Sequence, residues 1–238
     1  GDQGTIEASL ARHPEAPPGR LHIRHAPDRV RACDPPASVI RRKPDSSIVV
    51  GLRLVKAGEA DAFVSAGSTG AVMATSLFTF RPLPGVARPA IGALLPTART
   101  PCLLLDAGAN VDCKPQHLLQ FAHLGHVYAQ DSMGVANPRV ALLNIGEEPE
   151  KGDELTLETH RLLSAASGLD FVGNVEGRDI IQGVCDVVVC DGFVGNVCLK
   201  MLEGVSETVI ELARYAYKEK LLWRAGLAML SSGIERIK

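Results

Sequence analysis

The chain has 238 residues, of which 46% are hydrophobic, 22% charged and 4% aromatic, a composition that can bury a core and excludes a disordered or fibrous protein. Its 25 Lys and Arg nearly balance 27 Asp and Glu, and the net charge of -2 is unsuited to coating nucleic acid. Few aromatic residues are present to stack on ligands, whereas 23 glycines favour sites built from the backbone.

The predicted elements follow in chain order. A short helix at 6–13 and an exposed or edge strand at 21–25 come first, and a helix then runs from an N-cap at Asp45 or Ser46 to Gly58. Apolar runs that predict strands follow at 62–65, 91–95, 102–105, 140–145, 171–172 and 186–190. Helices are predicted at 69–80, 116–131, 154–166 and 197–220. Because the later runs are apolar throughout rather than alternating, they predict parallel strands covered by helices on both faces, an α/β sandwich.

The cysteines and the lengths of the apolar stretches indicate where in the cell the protein resides. No CxxC pair is present, and the thiols are predicted to be reduced core residues at Cys33, Cys102, Cys113, Cys185, Cys190 and Cys198. No apolar stretch approaches the roughly 18 residues that cross a bilayer, and residues 1–4 do not resemble a signal peptide. The sequence therefore predicts a soluble, cytoplasmic protein.

Four junctions rich in Gly and Asn, at 67–70, 108–110, 144–152 and 191–196, each follow an apolar run. Parallel strands carry their carboxyl ends to one edge of a sheet, where helix N-termini attract anions, so we expect these junctions to line one pocket. Gly and Asn are also common in ordinary turns, which is the alternative for any single junction. The predicted substrate-binding residues are Gly67, Ser68, Thr69, Gly70, Asp106, Gly108, Asn110, Asn144, Gly146, Asp191, Gly192 and Gly195.

Lys151 is the only cation among the glycines of these junctions. A lysine there can act as a point charge on phosphate or on a developing oxyanion, although its acidic surroundings also fit an ordinary surface lysine. Neither a GxGxxG fingerprint, a P-loop nor a Gly-x-Ser-x-Gly elbow is present. His117, His123 and His126 lack the spacing of a zinc site and are predicted at polar surface positions. The sequence predicts no metal and no cofactor.

Five segments taken together, 58–71, 105–110, 142–148, 171–179 and 191–197, resemble the bacterial acyl-ACP:phosphate acyltransferases of phospholipid synthesis. The resemblance covers nearly the whole chain. It implies a three-layer α/β/α fold similar to isocitrate and isopropylmalate dehydrogenases and to phosphotransacetylases, and a homodimer. It implies that inorganic phosphate attacks the thioester of a long-chain acyl-acyl carrier protein, with Lys151 and Asn196 as catalytic residues.

The resemblance also carries expectations about extent. Ser68 stands where the family commonly has Asn, and the family's first strand with an Asp-Ala-Met-Gly-Gly-Asp loop and a later glycine-rich segment fall outside residues 1–238. Within them we expect one α/β acyltransferase domain, from which a helical region at 207–238 protrudes for dimer or membrane contact.

Two surfaces outside the pocket are expected to bind partners. The basic cluster Arg41, Arg42 and Lys43 suits docking of an acidic carrier protein, although a solvated loop is the alternative. The resemblance associates the apolar end of the chain with peripheral attachment to the inner face of the membrane, and a helix buried in the dimer is the alternative. The membrane-contact residues are predicted to be Leu221, Leu222, Trp223, Leu227, Met229 and Leu230.

Three other functions remain open at this point. A phosphotransacetylase acting on short-chain acyl-coenzyme A shares the fold and the chemistry. A metal- and NAD-dependent decarboxylating dehydrogenase shares the fold but needs clustered aspartates that the sequence does not provide. A non-catalytic scaffold that recruits lipid enzymes to the membrane is the alternative from another class.

Overall fold

The computed structural model describes residues 1–17, 19–31, 33–219, 223, 224, 226 and 229. They fall into two compact units, Gly1–Pro89 and Ala90–Lys238, each of which is described by itself. The grouping of residues 1–238 into one acyltransferase domain stays a prediction. No helix among the described residues is both long and apolar enough to cross a membrane.

The first unit is helical. It contains α1 (Gln3–Leu10), a 3-10 turn (Pro36–Ser38), α2 (Val39–Arg42), α3 (Ser47–Lys56) and α4 (Thr69–Phe80). Helix α4 has the predicted bounds, and α3 lies within the predicted helix with Ser46 at its N-cap. Their apolar faces meet in a small core that contains Val39, Ile48, Val49, Leu52 and Ala71.

The strands predicted at 21–25 and 62–65 are wrong, since neither segment is assigned as strand. Alternating or apolar residues also suit extended loops, and a strand needs a partner to receive its backbone hydrogen bonds. Instead, Ala26 donates its amide to the Gly1 carbonyl, and Phe63 packs against the helical core. Residues 62–65 therefore pack against the core that contains α3, and residues 21–25 bond to the start of the chain, where the Gly1 amino group donates to the Arg24 carbonyl at 3.3 Å.

The second unit is built on a five-stranded sheet. Its elements are β1 (Gly92–Leu95), β2 (Cys102–Leu105), α5 (Pro115–Asp131), β3 (Arg139–Leu143), α6 (Glu154–Ala165), β4 (Asp170–Val175), α7 (Gly177–Gln182), β5 (Val187–Val189) and α8 (Gly192–Glu219). The spatial order is β1-β2-β5-β3-β4. Strands β2, β5, β3 and β4 are parallel as predicted, but β1 pairs antiparallel with β2. The connection at 96–101 is too short for a parallel crossover, which explains the reversal.

Helices cover both faces of this sheet. Helices α5 and α6 cover one face, around a core that includes Leu105, Phe121, Leu142, Leu163 and Val187. Helices α7 and α8 cover the other, around Leu104, Ala141, Ile180, Val188 and Cys190. The predicted three-layer α/β/α sandwich is thus confirmed for this unit.

The strand order fixes where a ligand can bind. Strand β5 lies between β2 and β3, so the segments that follow β2, β5 and β3 are neighbours at the carboxyl edge. In open α/β sheets, ligands bind in the crevice at this kind of reversal in strand order.

The opposite edge of the sheet is held by an ion pair. Asp186, 6% exposed, accepts from the Arg139 amide at 2.9 Å, from Nε at 3.0 Å and from a terminal guanidinium nitrogen at 3.0 Å. Burial alone would raise the pKa of Asp186, but the hydrogen bonds from Arg139 outweigh it and lower the pKa below its ordinary 3.8.

Asp186→Asn should lower the free energy of unfolding at pH 7 by about 3 kcal/mol, because it leaves Arg139 without its charge partner. A carboxylate with a lowered pKa stabilises the fold above 3.8 and loses that contribution as the pH falls through its folded pKa. The difference between the two proteins should therefore shrink below pH 3.8 in urea titrations. The control is Glu158→Gln, which removes an exposed pair with Arg161. An equal cost for both substitutions would contradict the account.

Candidate functional site

A cleft of about 560 Å³ opens at the carboxyl edge of the sheet in the second unit. Polar groups contribute only part of its wall, and the rest is apolar. Its lining comprises Leu118, Leu143, Asn144, Ile145, Gly152, Asp153, Thr156, Gly177, Cys190, Asp191, Val194 and Cys198. Predominantly apolar walls with a few polar groups are typical of small-molecule sites.

The junction after β2 is organised by one buried carboxylate. Asp106 is 0% exposed and accepts from the amides of Ile91, Gly108 and Ala109 at 2.9–3.1 Å through Oδ1. Its Oδ2 accepts from the amide and the side-chain nitrogen of Asn110 at 2.7 and 2.8 Å. Asp106 and Asn110, predicted to bind substrate, therefore shape this loop, and Asp106 uses its oxygens to do so.

The junction after β5 leads directly into α8, whose first residues contact the 106–110 loop. Asp191 Oδ1 accepts from the amides of Phe193 and Val194 at 2.8 and 3.0 Å, and Gly192 donates to the Asn110 carbonyl at 2.7 Å. These first amides of α8 therefore bond within the protein. Binding of substrate by Asp191, Gly192 and Gly195 stays a prediction.

Two glycines and Asn196 set the distance between these junctions. A methyl group built at Gly195 would overlap the Asp106 carbonyl oxygen, so only glycine allows this approach. One built at Gly108 would lie 3.5 Å from Asn196 Oδ1. Asn196 is exposed on the first turn of α8, facing the 106–110 loop.

The junction after β3 carries Lys151 on a tethered loop. Asn144 Oδ1 accepts from the Ile145 amide at 2.8 Å, and its Nδ2 donates to the Lys151 carbonyl at 2.9 Å. Gly152 has φ +104°, and a side chain there would overlap Thr156. The conformation of this loop thus depends on Gly152, which follows Lys151, and on Asn144, which bonds to the Lys151 carbonyl.

The side chain of Lys151 is exposed, and it forms no ion pair within 4.0 Å among the described residues. A methyl group on Gly146 would lie 3.0 Å from Lys151 Cγ, so the aliphatic stem passes over that glycine. Within the described part of the chain, the amides of Gly146 and Gly152 have no acceptor. Gly152 lines the cleft and Lys151 is the residue before it, so the exposed ammonium group is carried on the loop that borders the cleft, whereas Gly146 is buried.

Helix α6 begins at the same rim. Asp153 caps it, since its Oδ1 accepts from the Thr156 amide at 2.9 Å. Glu147, Glu148 and Glu150 are exposed nearby, so Lys151 lies in an acidic loop. A bound anion would therefore depend on Lys151 for its neutralisation.

Two thiols line the cleft. Burial raises the pKa of the Cys190 thiol well above its ordinary value, and it also raises that of Cys198. Both thiols therefore stay protonated near neutral pH, which makes them poor nucleophiles. Cys102 and Cys185 are buried as predicted, but Cys33 is exposed because its loop forms no helix or strand.

The structure separates the three histidines of α5. His123 is exposed as predicted, but His117 and His126 are half-buried. His117 Nδ1 accepts from the Lys114 amide at 3.1 Å and so helps to start the helix. Among the described residues, His, Cys, Asp and Glu form no group of three that could hold a metal ion.

The remaining predicted substrate-binding residues belong to the other unit. Gly67, Ser68, Thr69 and Gly70 belong to the first unit, where Ser68 Oγ accepts from the Ala71 amide at 3.3 Å and starts α4. Their place at the same rim stays a prediction.

The basic cluster divides into free and bonded side chains. Arg41 and Arg42 are exposed, whereas Lys43 donates to Asp34 at 2.6 Å and to the Arg29 carbonyl at 2.7 Å. Arg29 and Arg31 line a cleft with Lys43.

The structure describes only part of the apolar segment at 221–230. Trp223 and Met229 are helical and exposed. The other predicted membrane-contact residues lie outside the described residues, and they are Leu221, Leu222, Leu227 and Leu230.

The sheet order, the covering helices and the cleft at the switch in strand order define an α/β fold of the phosphotransacetylase type. A phosphotransacetylase from Streptococcus pyogenes superposes with a TM-score of 0.52 at 20% identity, over 66% of this chain and 54% of that one. At that identity the likeness concerns the fold alone.

Residues 1–238 match the family model described as "Fatty acid synthesis protein". The chain is 46% identical over its whole length to a phosphate acyltransferase of Aquifex aeolicus, 70% of which it covers. It is 53% identical over 88% of its length to a phosphate acyltransferase of Desulforamulus reducens, 62% of which it covers. The chain therefore belongs to this family of fatty acid synthesis proteins, as its resemblance to phosphate acyltransferases predicted, and spans about two thirds of such relatives.

Proposed function

We propose that the chain is an acyltransferase that moves a long-chain acyl group from acyl-acyl carrier protein to inorganic phosphate, forming acyl phosphate for phospholipid synthesis. The supporting observation is the loop that borders the cleft, where the exposed ammonium group of Lys151, unpaired among the described residues, stands next to Gly152 in the cleft wall. Family membership and the relatives named phosphate acyltransferase support the same reaction.

The chemistry needs few protein groups. A phosphate oxygen attacks the thioester carbonyl, the carbon–oxygen bond forms, the tetrahedral oxyanion collapses, and the carbon–sulfur bond breaks to release the carrier thiolate. Phosphate is already nucleophilic, so the site has mainly to orient it and to stabilise the developing charge. Lys151 fixes phosphate or the oxyanion, and Asn196 donates a hydrogen bond to the same centre.

The acyl chain fits the apolar part of the cleft. Leu118, Leu143, Val194 and Cys198 line it together with the polar rim. Its volume of about 560 Å³ suits a long alkyl group better than the two carbons of an acetyl group.

Purified chain should be incubated with palmitoyl-acyl carrier protein and labelled phosphate, and acyl phosphate should be measured. Acetyl-coenzyme A in place of the carrier substrate tests the phosphotransacetylase alternative. Labelled palmitoyl phosphate with little acetyl phosphate supports the proposal. The reverse preference would establish the alternative, and no product from either would favour a non-catalytic scaffold.

The carrier protein docks on the basic surface of the first unit in this proposal. That unit has twelve Lys and Arg against eight Asp and Glu, whereas the second has thirteen against nineteen. Arg41 and Arg42 are exposed there beside the cleft that Arg29 and Arg31 line. Charge complementarity steers an acidic partner to such a surface.

Arg41→Glu combined with Arg42→Glu should raise the KM for acyl-carrier substrate about tenfold at low salt, and less at high salt, because screening weakens steering. The matched control is Arg12→Glu with Arg20→Glu, which changes the net charge of the same unit equally. Steady-state kinetics at two salt concentrations give the comparison. Equal effects of the two pairs would show that the carrier docks elsewhere.

The proposal includes a homodimer, which helix α8 supports, and peripheral contact with the inner face of the membrane, which the resemblance implies. The exposed apolar side chains of α8 recur every four residues, at Val197, Met201, Val205 and Val209. A stripe of this kind is typical of a helix that packs on a partner. Sedimentation tests the dimer, and liposome flotation of Trp223→Glu against the unchanged chain tests the membrane contact.

A further inference from the structure

Asn174 lies at the end of β4 with only 5% of its surface exposed, outside the roles assigned so far. Its Nδ2 donates to the carbonyl of Glu148 at 2.8 Å, in the loop that carries Lys151. The same carbonyl accepts the amide of Lys151 at 3.1 Å. Asn174 therefore reaches the turn that presents Lys151.

His160 on α6 completes the contact. Its Nδ1 lies 2.9 Å from Asn174 Oδ1. Because Asn174 Nδ2 is the donor to Glu148, Oδ1 is the acceptor, so Nδ1 of His160 carries the proton. The imidazole stands edge-on to Phe171, with ring centroids 5.2 Å apart, which fixes its plane. The donor at Nδ1 is present in both the neutral tautomer and the protonated ring.

We propose that His160 and Asn174 are positioning residues that hold the 145–152 loop in the form in which Lys151 meets phosphate. The expected effect on kcat rests on the proposed function. The tether, by which we mean the hydrogen bonds from His160 to Asn174 and from Asn174 to the Glu148 carbonyl, does not depend on that function. Asn144 holds the loop at the Lys151 carbonyl, and Asn174 holds it three residues earlier, at Glu148. Two anchored carbonyls fix the turn, whereas one leaves it free to rotate.

Both polar atoms of the Asn174 side chain are engaged, one with His160 and one with the Glu148 carbonyl, so the pair acts through the loop rather than on the reacting atoms. Asn174→Asp keeps the size of the side chain and an acceptor for His160, but replaces the donor to Glu148 with an oxygen. We expect kcat to fall about tenfold to a hundredfold, the scale of a misplaced catalytic group, with the KM for acyl-carrier substrate unchanged.

His160 offers a rescue test. Asparagine places a donor where Nδ1 lies, so His160→Asn should keep most of the activity, whereas His160→Leu removes the donor and should behave like Asn174→Asp. Equal losses in both His160 variants would overturn its assignment as a donor.

The decisive comparison combines substitutions. If Asn174 acts through Lys151, Asn174→Asp should cause no further loss of kcat in a Lys151→Ala background, whereas independent effects would multiply and overturn the proposal. The control Asn137→Asp makes the same chemical change before β3, where Asn137 donates a solvent-exposed hydrogen bond to Asp170, and should leave kcat unchanged.

Amide hydrogen exchange separates the tether from the function. Exchange in the 145–152 loop should rise in Asn174→Asp and stay unchanged in Asn137→Asp, whether or not acyl phosphate forms. If the unchanged chain makes no acyl phosphate, the proposed function fails while the tether is still measured. Unchanged exchange in Asn174→Asp would overturn the inference by itself.

Discussion

Lys151→Ala is expected to lower turnover of acyl-carrier substrate about a hundredfold or more, the usual scale for removing one group that stabilises an oxyanion. The loop is anchored through the Lys151 carbonyl, which alanine retains, and the exposed ammonium group forms no ion pair among the described residues. The substitution should therefore remove charge from the rim without unfolding the loop. Asn196→Ala should cause a loss of similar size.

Thermal unfolding and kcat should be measured together. Lys200→Ala is the matched control, since Lys200 is also exposed and pairs only with Glu203 on α8 in the described contacts. It should change neither quantity appreciably. Turnover near that of the unchanged chain in Lys151→Ala would remove this residue from the mechanism.

Gly195→Ala is expected to lower the free energy of unfolding by about 3 kcal/mol, at the upper end of overpacking effects. The added methyl group would overlap the Asp106 carbonyl oxygen, which is backbone and cannot turn aside. The first turn of α8 and the 106–110 loop must separate, so activity should fall as well.

Gly204→Ala provides the control on the same helix. Nothing lies within 4 Å of a methyl group there, so alanine should raise the free energy of unfolding by roughly 0.5–1 kcal/mol through its helix propensity. Chemical denaturation of the two variants checks both signs. A stable, active Gly195→Ala would show that the two junctions do not pack as closely as described.

Local patterns were sufficient to predict much of the second unit. Apolar runs located all five strands, because burial leaves its signal within a few residues of the sequence. The antiparallel direction of β1 was missed, since an apolar run does not show which way a strand runs. The strands expected at 21–25 and 62–65 were wrong because strand pairing depends on a distant partner.

The candidate site was predicted in outline, through the three neighbouring junctions of the second unit. Its internal bonding was not, because it joins segments far apart in sequence. The sequence does not show that the Asp106 oxygens accept from backbone amides of its own loop, or that the first amides of α8 donate to Asp191. His160 and Asn174 were not selected, although Asn174 lies in a segment that carries the family resemblance.

The central claim is that phosphate binds at the rim formed by Lys151 and its neighbouring amides. Phosphate titration followed by amide NMR of the labelled chain measures this directly. The account predicts chemical-shift changes at Gly146, Lys151, Gly152 and Asn196 that saturate together and are lost in Lys151→Ala. Saturable changes confined to other residues, or none at all, would contradict it.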